Sequence, residues 1–187
     1  MKLRSLVVAA MCLFGMTTFA QDVTEPEFIG EVLYVAEGQT PAKLEKARAT
    51  VKTKLGASVY LTGIGKAKGW MYVEGASSPV KVNSASPRFV VRAVDNNSDP
   101  MAVVSLFKFT ATKKDRKAEV SSVSTLGGSS SNNMDYVPFD AKKYGESSYL
   151  LVPSVKMESG EYGITVSNPN NKDEKSVIVS CFSYVAP

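Results

Sequence analysis

The 187-residue sequence contains no histidine. Without an imidazole, Ser-His-Asp and Cys-His nucleophilic machinery is excluded, and zinc loses its commonest nitrogen ligand. Cysteine is nearly as scarce. Of the two present, Cys12 lies in an apolar N-terminal run and Cys181 near the far end. Removal of that run leaves no partner for an intramolecular disulfide, so the core alone must hold the chain together. Long hydrophobic stretches are lacking too. The one apolar run, Leu6 to Met16, is far short of the ~20 residues a membrane-spanning helix needs, and no membrane insertion is expected.

Lys2 and Arg4 precede this run, and Thr18-Phe19-Ala20 places small residues at the −3 and −1 positions before Gln21. Residues 1–20 therefore read as a secretory signal peptide. Met11 stands before Cys12 where lipidation needs a small residue, so Cys12 is not expected to carry a lipid. The protein is expected to be exported to the periplasm, the cell surface or the extracellular space. Loss of Lys2 and Arg4 cuts the excess of basic over acidic residues from four to two. That balance gives no reason to expect a nucleic-acid partner.

What the sequence does contain is a succession of strand signals. In the region 21–75 these are Phe28 to Val35, Ser58 to Ile64 and Trp70 to Glu74. Residues 42–55 fit two periods, Leu44, Ala47, Val51 and Leu55 at helical spacing or Ala47, Ala49, Val51 and Thr53 in alternation. The strand is favoured, because the neighbours read as strand and no N-cap follows Pro41. Gly75-Ala76-Ser77-Ser78-Pro79 marks a boundary. Beyond it come Val80 to Asn83, Arg88 to Val94, Ala102 to Thr112, Lys117 to Ser124, Ser148 to Val152, Glu161 to Ser167 and Lys175 to Tyr184, with a shorter piece at Tyr136 to Phe139. Seven strands separated by polar turns match an immunoglobulin-like β-sandwich over 76–187.

Glu158-Ser159-Gly160-Glu161-Tyr162 has the acidic-x-Gly-x-Tyr form of a tyrosine corner, in which the Tyr hydroxyl bonds upstream backbone. Tyr162 is expected inside and Glu161 outside; Ile164 stands where immunoglobulins place their second cysteine. In the strand Ala102 to Thr112, Val103, Phe107 and Phe109 face one way and Val104 and Leu106 the other. Apolar side chains on both faces require cover on both sides, and residues 26–75 are the natural source. The N-terminal β-region is thus expected to pack against the sandwich.

Candidate sites are few. Ser105-Leu106-Phe107-Lys108 has the S-x-x-K form of penicillin-recognising enzymes, but on a strand Ser105 and Lys108 point to opposite faces. Asp95-Asn96-Asn97-Ser98-Asp99-Pro100 begins like a calcium loop, yet lacks its glycine and terminal Glu and reads more simply as an Asx-rich turn. Lys113-Lys114-Asp115-Arg116-Lys117 at a hairpin tip is either a polyanion contact or a solvated turn that guards against edge pairing, and the turn is favoured. Leu126 to Asn133 is expected as a flexible loop. Cys181, inside an apolar run, is expected to be an inert buried thiol. Trp70 and Tyr72 share a strand face, with Tyr60 on the preceding strand. Such rings form either a glycan-stacking platform or cross-strand packing. The carboxylates Glu158 and Glu161 fall in the corner turn and offer no enclosed acid–base pair.

The segments Gly63-Ile64-Gly65-Lys66, Ser78-Pro79-Val80, Arg88-Phe89-Val90-Val91-Arg92, Ser105 to Phe109, Ser147-Ser148-Tyr149, Gly160-Glu161-Tyr162 and Cys181-Phe182 resemble an uncharacterised family of small secreted β-sandwich proteins from Gram-negative gut anaerobes. The resemblance implies an exported, non-catalytic protein and assigns no site residue. Together these features lead to one expectation: an all-β protein, not an enzyme, with no metal and no cofactor. It would serve as an exported binding or scaffolding module of the cell envelope for a protein or glycan partner. The alternatives are a carbohydrate-binding module using Trp70, Tyr72 and Tyr60, and a histidine-free hydrolase.

Overall fold

The computed structural model describes residues 25–36, 38–56, 58, 60, 65–124, 130–167 and 176–187. The leader expected over 1–20 and the first half of the loop expected over 126–133 lie outside the described residues. The strands are β1 (Val32–Val35), β2 (Ala42–Lys43), β3 (Glu45–Leu55), β4 (Lys66–Glu74), β5 (Lys81–Val82), β6 (Arg88–Arg92), β7 (Val104–Ala111), β8 (Asp115–Ser124), β9 (Ser130–Ser131), β10 (Phe139–Tyr144), β11 (Ser148–Pro153), β12 (Gly160–Val166) and β13 (Ser176–Tyr184). A short helix of one turn, α1 (Pro100–Val103), leads into β7.

The protein is all-β, with two sheets. One has five strands in the order β10-β11-β6-β1-β2. In the other, the path β12-β7-β8-β4-β3-β13 returns to β12, because β13 pairs with both β3 and β12. Six antiparallel strands therefore close into a barrel, and closure removes the unpaired edges that invite aggregation. This departs from the two open sheets of an immunoglobulin-like sandwich. Residues 45–55 form a strand, in keeping with the alternating reading, and with β4 they complete the barrel wall. Strands on both sides of Gly75 contribute to both sheets: β1 and β2 sit beside β6, and β3 and β4 beside β13 and β8.

The barrel interior is filled in the way a small barrel allows, with large side chains set against small ones. Phe107 and Phe109 meet edge to face, with ring centroids 5.0 Å apart. Around them pack Ala49, Met71, Val73, Ala118, Val179 and Cys181. Gly163 pairs with Phe107 on one side and Cys181 on the other. A Cβ at Gly163 would lie 2.8 Å from Phe107, Phe109 and Val179, so only glycine fits there. This cluster supplies the cover that the two-faced apolar pattern of β7 requires. Ala49, Met71 and Val73 from the N-terminal region pack on Phe107 and Phe109, but as part of the same barrel wall and not as a separate region laid against a sandwich.

The opposite face of β7, with β12 and β13, packs on the five-stranded sheet. Val104, Leu106, Tyr162, Ile164, Phe182 and Tyr184 meet Val32, Tyr34, Phe89, Val91, Tyr149 and Leu151 in the main core. Phe182 lies at its centre, 4.9 Å from the Phe89 ring and stacked 5.5 Å from Tyr162. The Tyr162 hydroxyl donates to the Glu158 carbonyl at 2.7 Å, and the residue is 2% exposed. The tyrosine corner is therefore present.

Two expectations need correction. Glu161, expected outside, is 9% exposed and turns into the barrel end. There its carboxylate accepts from the Ser78 amide at 2.8 Å and from the Ser183 hydroxyl. Arg116, expected in a solvated turn, is fully buried at 0% exposure. It lies two residues before Ala118 on β8, and two-residue alternation carries it into the same interior. Its charge is met by Glu45 through two bonds of 2.7 and 3.0 Å, and by the carbonyls of Gly75 and Glu74 at 3.1 and 3.0 Å. These polar groups close one end of the barrel.

Candidate functional site

Strands β7, β12 and β13, which pack on the five-stranded sheet, are consecutive in the barrel. That leaves β8, β4 and β3 on the opposite wall, with their outer face free of the sheet. Alternation assigns the side chains. On β4, Met71 and Val73 are core residues, so Trp70 and Tyr72 project outward, where both are partly exposed. On β3, Ala49 points in, so Lys46, Arg48, Lys52 and Lys54 point out. On β8, Arg116 and Ala118 point in, and Lys117 and Glu119 point out. Register then brings the outward groups together: Lys52 opposite Trp70, Trp70 opposite Glu119, and Tyr72 opposite Lys117. An extra residue on β8 makes a bulge beside Gly69 and Trp70, a device that commonly re-aims side chains near binding sites.

The two rings are covered by ammonium groups. Lys117 Nζ lies 4.9 Å and Lys68 Nζ 5.9 Å from the Trp70 ring centroid. Lys52 and Lys54 stand 5.6 and 5.5 Å from that of Tyr72. Each such contact contributes about 0.5–1 kcal/mol at an exposed position. The acid in this group, Glu119, is already engaged: it accepts from Lys68 at 2.9 Å and from the Asn133 side-chain amide at 2.6 Å. The bond from Lys68, then that from Asn133, hold its carboxyl below the ordinary value. Lys52, Lys54 and Lys117 make no salt bridge to a described carboxylate. Beside Tyr72 a cleft of about 870 Å³ runs along β3, with Arg48, Lys52, Lys54 and Lys114 in its lining.

The same cleft also holds Glu45, Glu74 and Asp115. Glu45 is taken up by Arg116, and Asp115 accepts from the Thr112 hydroxyl at 2.6 Å to fix the β7–β8 turn. Glu74 stands opposite Asp115 but is exposed. A general acid in glycoside hydrolysis needs an enclosed, desolvated carboxyl, and this pair has no such surroundings.

Of the three rings proposed from sequence, the structure brings Trp70 and Tyr72 together and not Tyr60. Tyr60 has helical backbone and is 75% exposed, and the neighbours of β4 are β3 and β8. The expected strand over 58–64 is thus not the partner of β4; several of its residues lie outside the described ones. What sequence reading missed is the basic row of β3. Its signal was the alternation Lys46, Arg48, Thr50, Lys52, Lys54, which is a strand with one charged face.

The remaining candidates are accounted for locally. Asp95 accepts from the Asn97 amide at 2.8 Å, and Asp99 caps α1 through the Met101 amide at 2.9 Å, so the loop is an Asx turn followed by a helix cap. Ser105 and Lys108 lie on β7, with Lys108 donating to Glu158 at 2.7 Å. Among the described residues no group of three or more Cys, Asp or Glu is placed to hold a metal, and no helix is long and apolar enough to cross a membrane. No protein-family model and no curated protein matches the chain.

Proposed function

We propose that this protein is an exported, non-catalytic binding module of the cell envelope that holds a glycan on the outer face of β3, β4 and β8. The observation that carries the reading is the placement of Trp70 and Tyr72. Side chains of this size ordinarily fill a core; here the core is filled from the opposite face of β4, and both rings stand side by side on an accessible wall. Residues two apart on one strand are about 6.5–7 Å apart, a spacing that lets neighbouring rings contact successive units of a chain-like ligand. The basic start and short apolar run of residues 1–20 support export. The tyrosine corner supports kinship with immunoglobulin-like sandwiches, one of whose sheets would here be closed into a barrel.

A glycan array probed with the purified protein tests the reading, with Trp70→Ala alongside. Signal that Trp70→Ala removes, in a variant with unchanged thermal stability, supports it. A blank array together with a pull-down from envelope extract that recovers no partner sinks it. Release of reducing ends from a bound glycan, abolished by Glu74→Gln, would replace it with the hydrolase alternative.

A further inference from the structure

We infer that the ligand of the β3–β4–β8 face is an anionic polysaccharide, bearing carboxylate or sulfate groups at intervals along its chain. This inference rests on the glycan-binding reading above and adds the charge of the ligand. Its basis is the state of the two rings. Lys117 and Lys68 lie within 4.9 and 5.9 Å of the Trp70 centroid, and Lys52 and Lys54 within 5.6 and 5.5 Å of that of Tyr72. A neutral sugar stacking on these rings must displace ammonium groups and offers them nothing in return. An anionic sugar offers each displaced ammonium an ion pair, and so frees the ring face that its own C–H surface then covers. Among the described residues the basic groups of this face outnumber the acidic ones, even with Glu74 and Asp115 at the end of the cleft. Glu119 is committed to Lys68 and Asn133, and Glu45 to Arg116, while Lys52, Lys54 and Lys117 have no described carboxylate as partner. The cleft beside Tyr72 extends the basic lining along β3, which suits a ligand with repeated charges over one with a single acidic end.

Affinity electrophoresis and titration with polygalacturonate, heparin and neutral dextran test this. Polygalacturonate or heparin should bind and dextran should not, and which of the two binds better distinguishes carboxylate from sulfate. The Lys52→Gln, Lys54→Gln, Lys117→Gln triple variant should bind about tenfold more weakly, since each exposed charge contact is worth a few-fold. Raising salt from 50 to 300 mM should weaken the wild type through counterion release and affect the triple variant less. Trp70→Ala should lose binding and Trp70→Phe, which keeps a ring, should retain most of it. Dextran binding that matches polygalacturonate and ignores salt overturns the anionic assignment while leaving glycan binding intact. Failure of every polysaccharide, on the gel and on the array, removes both. Unaltered polyanion binding by Trp70→Ala, or tighter binding of oligo-dT than of either acidic polysaccharide, also overturns the inference.

Discussion

Arg116 and Glu45 face each other inside the end of the barrel, guanidinium to carboxylate, through two hydrogen bonds of 2.7 and 3.0 Å. Arg116 is fully buried, so its charge depends on this partner and on the carbonyls of Gly75 and Glu74. Burial pushes the Glu45 carboxyl up, but hydrogen bonds from Arg116 and Ser78 and the guanidinium charge outweigh it and hold the group below its ordinary value of 4.5. A carboxyl depressed in the folded state contributes stability that is present above its unfolded value and drains away as pH falls through the folded one. Glu45→Gln should therefore cost about 1–2 kcal/mol at neutral pH. The gap to wild type should close below the ordinary carboxylate range, where Glu45 is itself neutral. Urea midpoints at several pH values check this. A gap that is constant with pH would show that the pair adds no charge-dependent stability.

How much of this was legible in the sequence depended on whether a residue's surroundings are local. The strand character of 45–55, the double-faced β7 and the tyrosine corner follow from two-residue alternation and a five-residue motif, and all three are present. Barrel closure is not local. It depends on β13 pairing with β3 and β12 at once, across segments far apart in the chain, and no short pattern encodes that. Arg116 reads as exposed because it sits in a charged run, and Glu161 because it alternates with the inward Tyr162; the closed barrel buries both. Alternation already put Arg116 in register with Ala118, and only the closed barrel end supplies the partners that make burial affordable. At the site, Trp70 and Tyr72 were visible as a pair. Their lysine neighbours were not, because Lys52 and Lys117 arrive from strands on either side.

Gly163 offers a test of barrel packing. A methyl group there would stand 2.8 Å from Phe107, Phe109 and Val179, three side chains fixed in a closed interior. Gly163→Ala should cost about 1–3 kcal/mol through overpacking, although alanine suits a strand no worse than glycine does. Equilibrium denaturation decides the matter; a midpoint equal to wild type would mean that the interior is looser than these contacts imply.

Cys181 lies in the same interior, and burial pushes its thiol up to about 12. Only the thiolate reacts readily, so Cys181 of the native protein should be inert to a thiol reagent such as DTNB at pH 8 and should react fully once the protein is unfolded in guanidinium. Rapid labelling of Cys181 in the native protein would show that the barrel opens.

The corner supplies the last and sharpest contrast, because Tyr162 and Glu161 are adjacent and face opposite ways. Tyr162 lies in the core between the sheets, and its hydroxyl donates to the Glu158 carbonyl at 2.7 Å. Tyr162→Phe keeps the ring among Phe182 and Tyr184 and removes that single bond, at a cost of about 1 kcal/mol. Glu161 accepts from the Ser78 amide and the Ser183 hydroxyl. Glu161→Ala leaves the Ser78 amide unpaired in a buried site and the Ser183 hydroxyl with only the Ser78 carbonyl at 3.2 Å. A hydrogen bond to a charged group contributes more than one between neutral groups, so about 1.5–3 kcal/mol is expected. Glu158 is a control two positions before Gly160. Its side chain is 84% exposed and meets Lys108 alone, so Glu158→Ala should cost under about 0.5 kcal/mol. The predicted order of loss is Glu161→Ala, then Tyr162→Phe, then Glu158→Ala, read from urea midpoints at neutral pH. If Glu161→Ala is as mild as Glu158→Ala, the Glu161 carboxylate does not hold the barrel end, and Ser78 and Ser183 must find their partners elsewhere.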